Sequence, residues 1–423
     1  MLNISKAKKV INAQIKLIKP EKKEIKKIKD ISDKFTVELK KRLKQKKIKA
    51  DVFIGGSLAK NTLVKTNDNL YDVDIFVRFD EKYKDCEIST LLGKVIGKAK
   101  KVHGSRDYYQ VTFDNIILEV IPVIKISKPE QARNVTDLSY FHVKYLLKKI
   151  KRNKKLSDEI VVAKAFCHSQ NCYGAESYIH GFSGYSIELL ILHYKSFINF
   201  IKEMAKSGKE KIIIDDEKFF RNKKEILVEV NESKLQSPII LIDPTFKERN
   251  ALSGLSFDTF SEFKRASKEF LEKPDSEFFK KKSVYCEFKD TGGMRVVSVK
   301  TTKQSGDISG TKSKKFFDFF ISHISKDFIV KKSGFDYDEN KNIAYYYLIL
   351  DKKSEEVIRG PPLIKLEHLA AFKAAHPDAF VKEGVAYAHA SHKKSFESWL
   401  KYFLEKYKKI TEEMAIKEIK LVE

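Results

Sequence analysis

At 423 residues the chain exceeds what one hydrophobic core usually organises, and about two to four domains are expected. Hydrophobic residues at 42% and aromatics at 12% suffice to offset chain entropy, which excludes global disorder despite a charged fraction of 33%. A net charge of +25, from 83 Lys+Arg against 58 Asp+Glu, makes nucleic acid the leading class of partner, although heat adaptation also enriches lysine and the charge needs a site beside it.

In chain order, Ile11, Ile15, Ile18, Ile25, Ile28 and Ile31 recur near helical spacing among lysines, which predicts amphipathic helices over residues 11–48 with a restart at Pro20. Strands follow at 51–54 and 72–79, separated by a Gly-Gly-Ser turn and a polar loop, then a helix near 91–102 and a strand at 115–126. This mixed α/β unit ends near Lys128-Pro129. Residues 138 to about 206 read as helices with few breakers, and 258–273 as another, so an all-helical middle domain is expected. Beyond Lys282 the texture changes to strands at 283–288 and 294–299, a polar loop at 301–315, a helix at 316–324, a strand at 343–350 and a closing helix over about 395–417. The expected domains are therefore 1–137, 138–282 and 283–423. Cys86, Cys167, Cys172 and Cys286 are too few and too irregular for a disulfide framework, and no apolar run reaches membrane-spanning length, so a soluble cytoplasmic protein is expected.

The strand Tyr71-Asp72-Val73-Asp74-Ile75-Phe76-Val77 alternates, which puts Asp72 and Asp74 on one face and Val73, Ile75 and Val77 on the other. Two carboxylates so close repel in a low dielectric and call for a cation, a shared proton or solvent; an all-oxygen ligand set favours magnesium. An Asp-x-Asp alone is common on solvated edges. Directly upstream lies Gly55-Gly56-Ser57-Leu58-Ala59-Lys60, where glycines allow close backbone approach and Ser57 and Lys60 add a hydroxyl and a cation suited to phosphate. Glu119, set among apolar neighbours in Ile117-Leu118-Glu119-Val120-Ile121, needs a partner or a metal, and a third carboxylate would complete a two-metal site for in-line nucleotidyl transfer.

This combination resembles the polymerase-β nucleotidyltransferase superfamily. The resemblance narrows at His142 in Tyr140-Phe141-His142, at Lys164, and at Tyr173-Gly174-Ala175-Glu176 followed by Gly181-Phe182-Ser183-Gly184-Tyr185. With Asp243-Pro244, Arg249-Asn250, Arg359-Gly360-Pro361-Pro362, His368, Phe372 and His376-Pro377, these residues are similar in order and approximate spacing to the archaeal type of CCA-adding tRNA nucleotidyltransferases, over essentially the whole chain.

The resemblance implies an α+β multi-domain fold: a polymerase-β-like nucleotidyltransferase head, a helical central domain completing the nucleotide pocket, and a C-terminal α+β RNA-binding module with a helical tail. It implies Asp72, Asp74 and Glu119 as catalytic metal ligands for Mg2+, Gly56, Ser57 and Lys60 on the nucleotide, His142, Lys164 and Tyr173 on triphosphate and ribose, and Arg249 in reading the base. The implied partners are the tRNA 3′ end and acceptor-arm duplex, CTP and ATP, and a homodimer is allowed. Lys60 stands where the family often has arginine, Glu119 where aspartate is common, and the stretch 102–115 is shortened. Two other readings share parts of this pattern: a poly(A) polymerase or oligoadenylate synthetase with the same carboxylates, and an inactive RNA-binding protein. The match after Lys282 argues against the first, and retention of all three carboxylates with Ser57 against the second.

Overall fold

The computed structural model describes residues 3–64, 70–302, 306–353, 356–390 and 395–422. Two compact units divide it, Met1–Lys282 and Ser283–Glu423.

In the first unit, helices α1 (Ile4–Ile18) and α2 (Lys22–Gln45) flank Pro20, whose fixed φ suits the break between them. The head sheet comprises β1 (Ala50–Ile54), β2 (Tyr71–Phe79), β3 (Lys100–Val102), β4 (Tyr108–Phe113) and β5 (Ile116–Ile124), in the order β1-β2-β5-β4-β3. The turn helix α3 (Gly56–Lys60) follows β1, and α4 (Asp85–Ile96) belongs to the crossover that lets β2 and β5 run parallel. Val73, Ile75, Val77, Leu118 and Val120 are fully buried on one sheet face, together with Leu39 and Leu43 of α2 and Ile88 and Leu92 of α4. Alternation along β2 and β5 therefore leaves the acidic residues on the opposite face. The helix expected near 91–102 lies earlier and ends at Ile96, with Gly97 as its cap, and residues 100–102 form an edge strand instead.

Next come α5 (Ser139–Arg152), α6 (Lys155–Ser169), α7 (Gly184–Tyr194), α8 (Phe197–Lys206), α9 (Lys223–Glu229) and α10 (Phe257–Glu272). Their core is strongly aromatic: Phe166, Phe182, Phe197, Phe200, Phe263 and Phe270 are all fully buried. This part is predominantly helical but not purely so. A small sheet joins β6 (Ile212–Ile214), β7 (Ile239–Asp243) and β8 (Phe246–Asn250), with β7 buried along its whole length. A fully buried strand shows no period-two alternation, which is why its apolar run carries no clear strand signal.

The second unit builds an antiparallel sheet from β9 (Met294–Thr301), β10 (Phe328–Asp338), β11 (Ile343–Lys352) and β15 (Ile416–Leu421), in the order β10-β11-β9-β15. Against it lie α11 (Gly306–Asp327) and α13 (Phe396–Lys406), whose Phe316, Phe320, Trp399 and Phe403 share a core with Tyr346. Strands β12 (Glu356–Pro362), β13 (Phe380–Lys382) and β14 (Val385–Ala390) form a second sheet, accompanied by α12 (Leu366–Ala375). Three expectations change here. Residues 285–287 form a short 3-10 turn rather than a strand over 283–288. Of the loop expected at 301–315, residues 303–305 lie outside the described residues and Gly306 onward is already α11, because Ser309, Gly310 and Ser313 extend the buried stripe of Phe316 and Phe320. The closing helix stops at Lys406, α14 (Lys408–Glu413) follows, and Ala415 at φ +59 turns the chain into β15, which pairs with β9.

No helix among the described residues is long and apolar enough to cross a membrane. All four cysteines are free.

Candidate active site

Register on parallel strands places Asp74 of β2 directly beside Glu119 of β5. Asp72, two residues before Asp74, shares its face, and its neighbour across the pair is Ile117. Asp72 is exposed, while Asp74 and Glu119 are half-buried. Gln110 of β4 completes the row and donates from Nε2 to Glu119 Oε1 at 2.9 Å.

The Gly-Gly-Ser turn closes over the same carboxylate. Gly55 N–H donates to the Asp74 carbonyl at 2.9 Å. Gly56 has φ +56, and a Cβ there would sit 1.6 Å from Asp74 Oδ2, so only glycine lets the turn approach this closely. Burial raises the Asp74 carboxyl above its ordinary range, opposed by the charges of Lys60 and Lys164. A carboxylate so placed is stabilised by a cation. Among the described residues no three His, Cys, Asp or Glu side chains are gathered tightly enough to hold an ion as they stand. The backbone nevertheless aligns three acidic residues on one face, next to a turn with no side chain in the way. That donor set fits a hard divalent cation.

Lys60 and Lys164 meet on a residue that sequence reasoning missed. Lys60 Nζ lies 2.6 Å from Glu188 Oε2 and Lys164 Nζ 2.8 Å from Glu188 Oε1, with Thr62 Oγ1 3.4 Å from Lys164 Nζ. Glu188 is fully buried, yet although burial would raise its carboxyl, the charges of Lys164 and Lys60 outweigh this and hold it below the usual range. Burial lowers Lys60 in turn, resisted by Glu188. Tyr173 lies nearby: its hydroxyl would stand 2.9 Å from a Cβ on Gly184, and burial pushes its phenol up, with Glu188 and Asp74 adding to the effect. The one available signal for Glu188 was a lone acid within Ile187-Glu188-Leu189-Leu190-Ile191.

His142 and Arg249 converge elsewhere, on Asp243 at the end of β7. His142 Nε2 is 3.0 Å and Arg249 Nη1 2.7 Å from Asp243 Oδ2; Tyr185 Oη donates to Oδ1 at 3.0 Å, as does Thr245 from its backbone N–H at 2.8 Å. The His142 ring stacks on Tyr185 with centroids 3.9 Å apart. Burial opposes ionisation of Asp243, but the hydrogen bond from His142 and the charge of Arg249 prevail and hold the carboxyl well below its usual range. Burial also depresses His142, more than Asp243 restores, and Lys60 contributes to the depression. A carboxylate only accepts, so the neutral imidazole carries its proton on Nε2. The predicted residues thus form two groups: Lys60, Lys164 and Tyr173 around Glu188 beside Asp74, and His142 with Arg249 around Asp243.

In the second unit, Phe372 of α12 packs on Gly360, where a Cβ would come within 2.6 Å of its ring, while Arg359 on β12 is exposed.

The sheet with its acidic face and the turn that covers it define a nucleotidyltransferase, and a family model described as a nucleotidyltransferase domain matches residues 37–154. A second, described as the second domain of tRNA nucleotidyltransferase, matches residues 158–280. A CCA-adding enzyme of Nanoarchaeum equitans is 34% identical over 341 residues, covering 79% of this chain and 81% of the relative. One from Methanocaldococcus jannaschii is 30% identical over 356 residues, covering 80% and 77%. The chain belongs to the CCA-adding enzyme family. A solved structure of a cytoplasmic RNA terminal U-transferase shares the fold of part of the chain, with a TM-score of 0.50 at 15% identity over 65% of this chain and 98% of that one.

Proposed function

We propose that this enzyme adds C, C and A to the 3′ end of tRNA, using CTP and ATP, releasing pyrophosphate and needing no nucleic-acid template. The observation that carries the reading is the register of Asp74 beside Glu119 under the Gly55-Gly56 turn, in a chain whose similarity to CCA-adding enzymes runs over 341 residues and so exceeds the 282 of the first unit. That extent favours it over a poly(A) polymerase or oligoadenylate synthetase.

Asp72, Asp74 and Glu119 are the residues that would hold divalent ions, magnesium by their oxygen donors; such ions would lower the pKa of the attacking 3′-hydroxyl and stabilise charge on the leaving pyrophosphate. The protein's own contributions are positional and electrostatic. Lys60 and Lys164 direct N–H donors at the triphosphate, where negative charge grows as pyrophosphate leaves. Gly56 and Ser57 bring backbone and hydroxyl against it. His142 and Tyr173 hold triphosphate and ribose, and Arg249 reads the base. Within this reading, residues 1–137 are the catalytic head, 138–282 complete the nucleotide pocket, and 283–423 hold the tRNA acceptor arm through its phosphates. A cytoplasmic location follows from the tRNA substrate, and sedimentation of the full chain decides between monomer and homodimer.

The test is pyrophosphate release from CTP and ATP on tRNA lacking its terminal CCA, with and without magnesium. Release that needs both tRNA and the ion supports the reading; its absence in folded protein rejects it.

A further inference from the structure

Glu188 is an expensive residue in its place. Ile187, Leu189, Leu190 and Ile191 around it in α7 are all buried, and an ionised carboxylate there loses more hydration than its Coulombic pairing readily restores. An apolar side chain would join the head to the central helices at lower cost. What an apolar residue could not do is hold two ammonium groups. Both Glu188 oxygens are occupied, Oε2 by Lys60 of α3 at 2.6 Å and Oε1 by Lys164 of α6 at 2.8 Å.

The two lysines keep donors to spare. Each ammonium carries three N–H bonds. Among the described residues, Lys60 uses one on Glu188, whereas Lys164 uses one on Glu188 and one on Thr62. Their side chains retain 9% and 8% exposure, while that of Glu188 retains none. The carboxylate is thus fully enclosed while both cations keep a little exposed surface, and the Asp74 carboxyl feels Lys60, Lys164 and Glu188 alike. Unclamped, two like charges would repel each other and lose the fixed separation that an anion with several oxygens requires.

We propose that Glu188 is a positioning residue of the nucleotide site: by clamping Lys60 and Lys164 on a single carboxylate, it fixes the spacing of the two cations that meet the triphosphate of CTP and ATP alike. The proposal rests on the reading in which these lysines contact the triphosphate. Because the clamp acts at the phosphate end and not at the base, it serves both nucleotides equally and leaves tRNA binding alone.

Glu188→Gln preserves shape but turns an amide NH2 toward one of the lysines, and Glu188→Asp keeps the charge on a shorter arm. In each, the KM for CTP and for ATP should rise by the same factor, roughly tenfold or more in Glu188→Gln and less in Glu188→Asp, since breaking a buried charge pair is costly. The KM for tRNA should stay within about twofold of wild type, as no RNA contact is removed. Wild-type nucleotide KM values in either folded variant, or a rise for one nucleotide only, would overturn the proposal. Loss of fold in both variants would make Glu188 purely structural and overturn it as well. If the wild-type enzyme itself failed to incorporate CTP and ATP, the reading beneath the proposal would fall first and the proposal with it.

Discussion

Arg249 donates from Nη1 to Oδ2 of Asp243 at 2.7 Å, and this one bond aims a guanidinium whose other N–H groups are not committed to that carboxylate. Cytosine offers O2 and N3 as acceptors and adenine N1, N3 and N7, so the same donors can satisfy either base. Uracil carries a hydrogen at N3 and leaves a donor unpaired, at about 1–3 kcal/mol or roughly fivefold to 150-fold in discrimination. Arg249→Ala should lose about that much C-over-U selectivity in single-turnover incorporation and should impair both CTP and ATP use. An unchanged CTP-to-UTP ratio with near-normal rates would reduce Arg249 to an anchor for Asp243.

Gly56→Ala tests the turn over the carboxylates. The added methyl would sit 1.6 Å from Asp74 Oδ2, on a backbone already at φ +56. Asp74 must move, and a displacement of about 1 Å at a reacting centre can cost on the order of a hundredfold in rate. Steady-state kinetics should show kcat falling by that order while tRNA affinity, read by filter binding, stays within about twofold. Full activity would show that Asp74 does not act from this position.

The pH dependence of stability should carry the signature of His142. Burial sets its folded pKa below the ordinary value despite the Asp243 bond, with Arg249 and Lys60 adding to the depression. Around and below an unfolded value near 6.5 the unfolded chain therefore binds more protons than the native one, and stability falls as pH drops from about 7 through that value toward the lower folded one. Asp243, held low, keeps its own contribution over that window and loses it only at more acid pH. Urea midpoints for wild type and His142→Gln should show a smaller decline in the variant. Equal declines would contradict the assignment.

The acidic face was legible because Asp72 and Asp74 alternate with apolar residues, and the strand bearing Glu119 was legible for the same reason; what the chain order could not reveal was that β2 and β5 pair in parallel, in the register that sets Asp74 beside Glu119. Glu188 escaped attention because a single acid in an apolar helix gains meaning only when Lys60 and Lys164 arrive from elements far away in sequence. Strand β8, Phe246–Asn250, has no apolar alternation and is specified by its pairing with β7. The start of α11 reads as a loop by composition, yet Ser309 and Ser313 face inward, where Ser309 Oγ meets Thr301 Oγ1 at 2.7 Å and the Ser313 carbonyl accepts from Tyr346 at 2.6 Å. A small polar residue such as Ser309 can fill a helix's buried face when a partner is waiting there, and hydropathy cannot register that.

Arg359, exposed on β12 in the second unit, should contribute a phosphate contact to tRNA binding. Arg359→Ala should weaken tRNA affinity and reduce the salt dependence of binding by a slope of about 1, as expected when one phosphate contact is removed. The KM for CTP should not move. Wild-type affinity and slope would remove Arg359 from the RNA surface.

The most direct measurement of the central claim sequences the products made from a tRNA lacking its terminal CCA when CTP, ATP and UTP are supplied singly and together. CTP alone should add two residues and stop, ATP alone should add none to that end, and the two together should give CCA and no more. Long homopolymers from ATP, equal use of UTP, or no extension under any condition would contradict it.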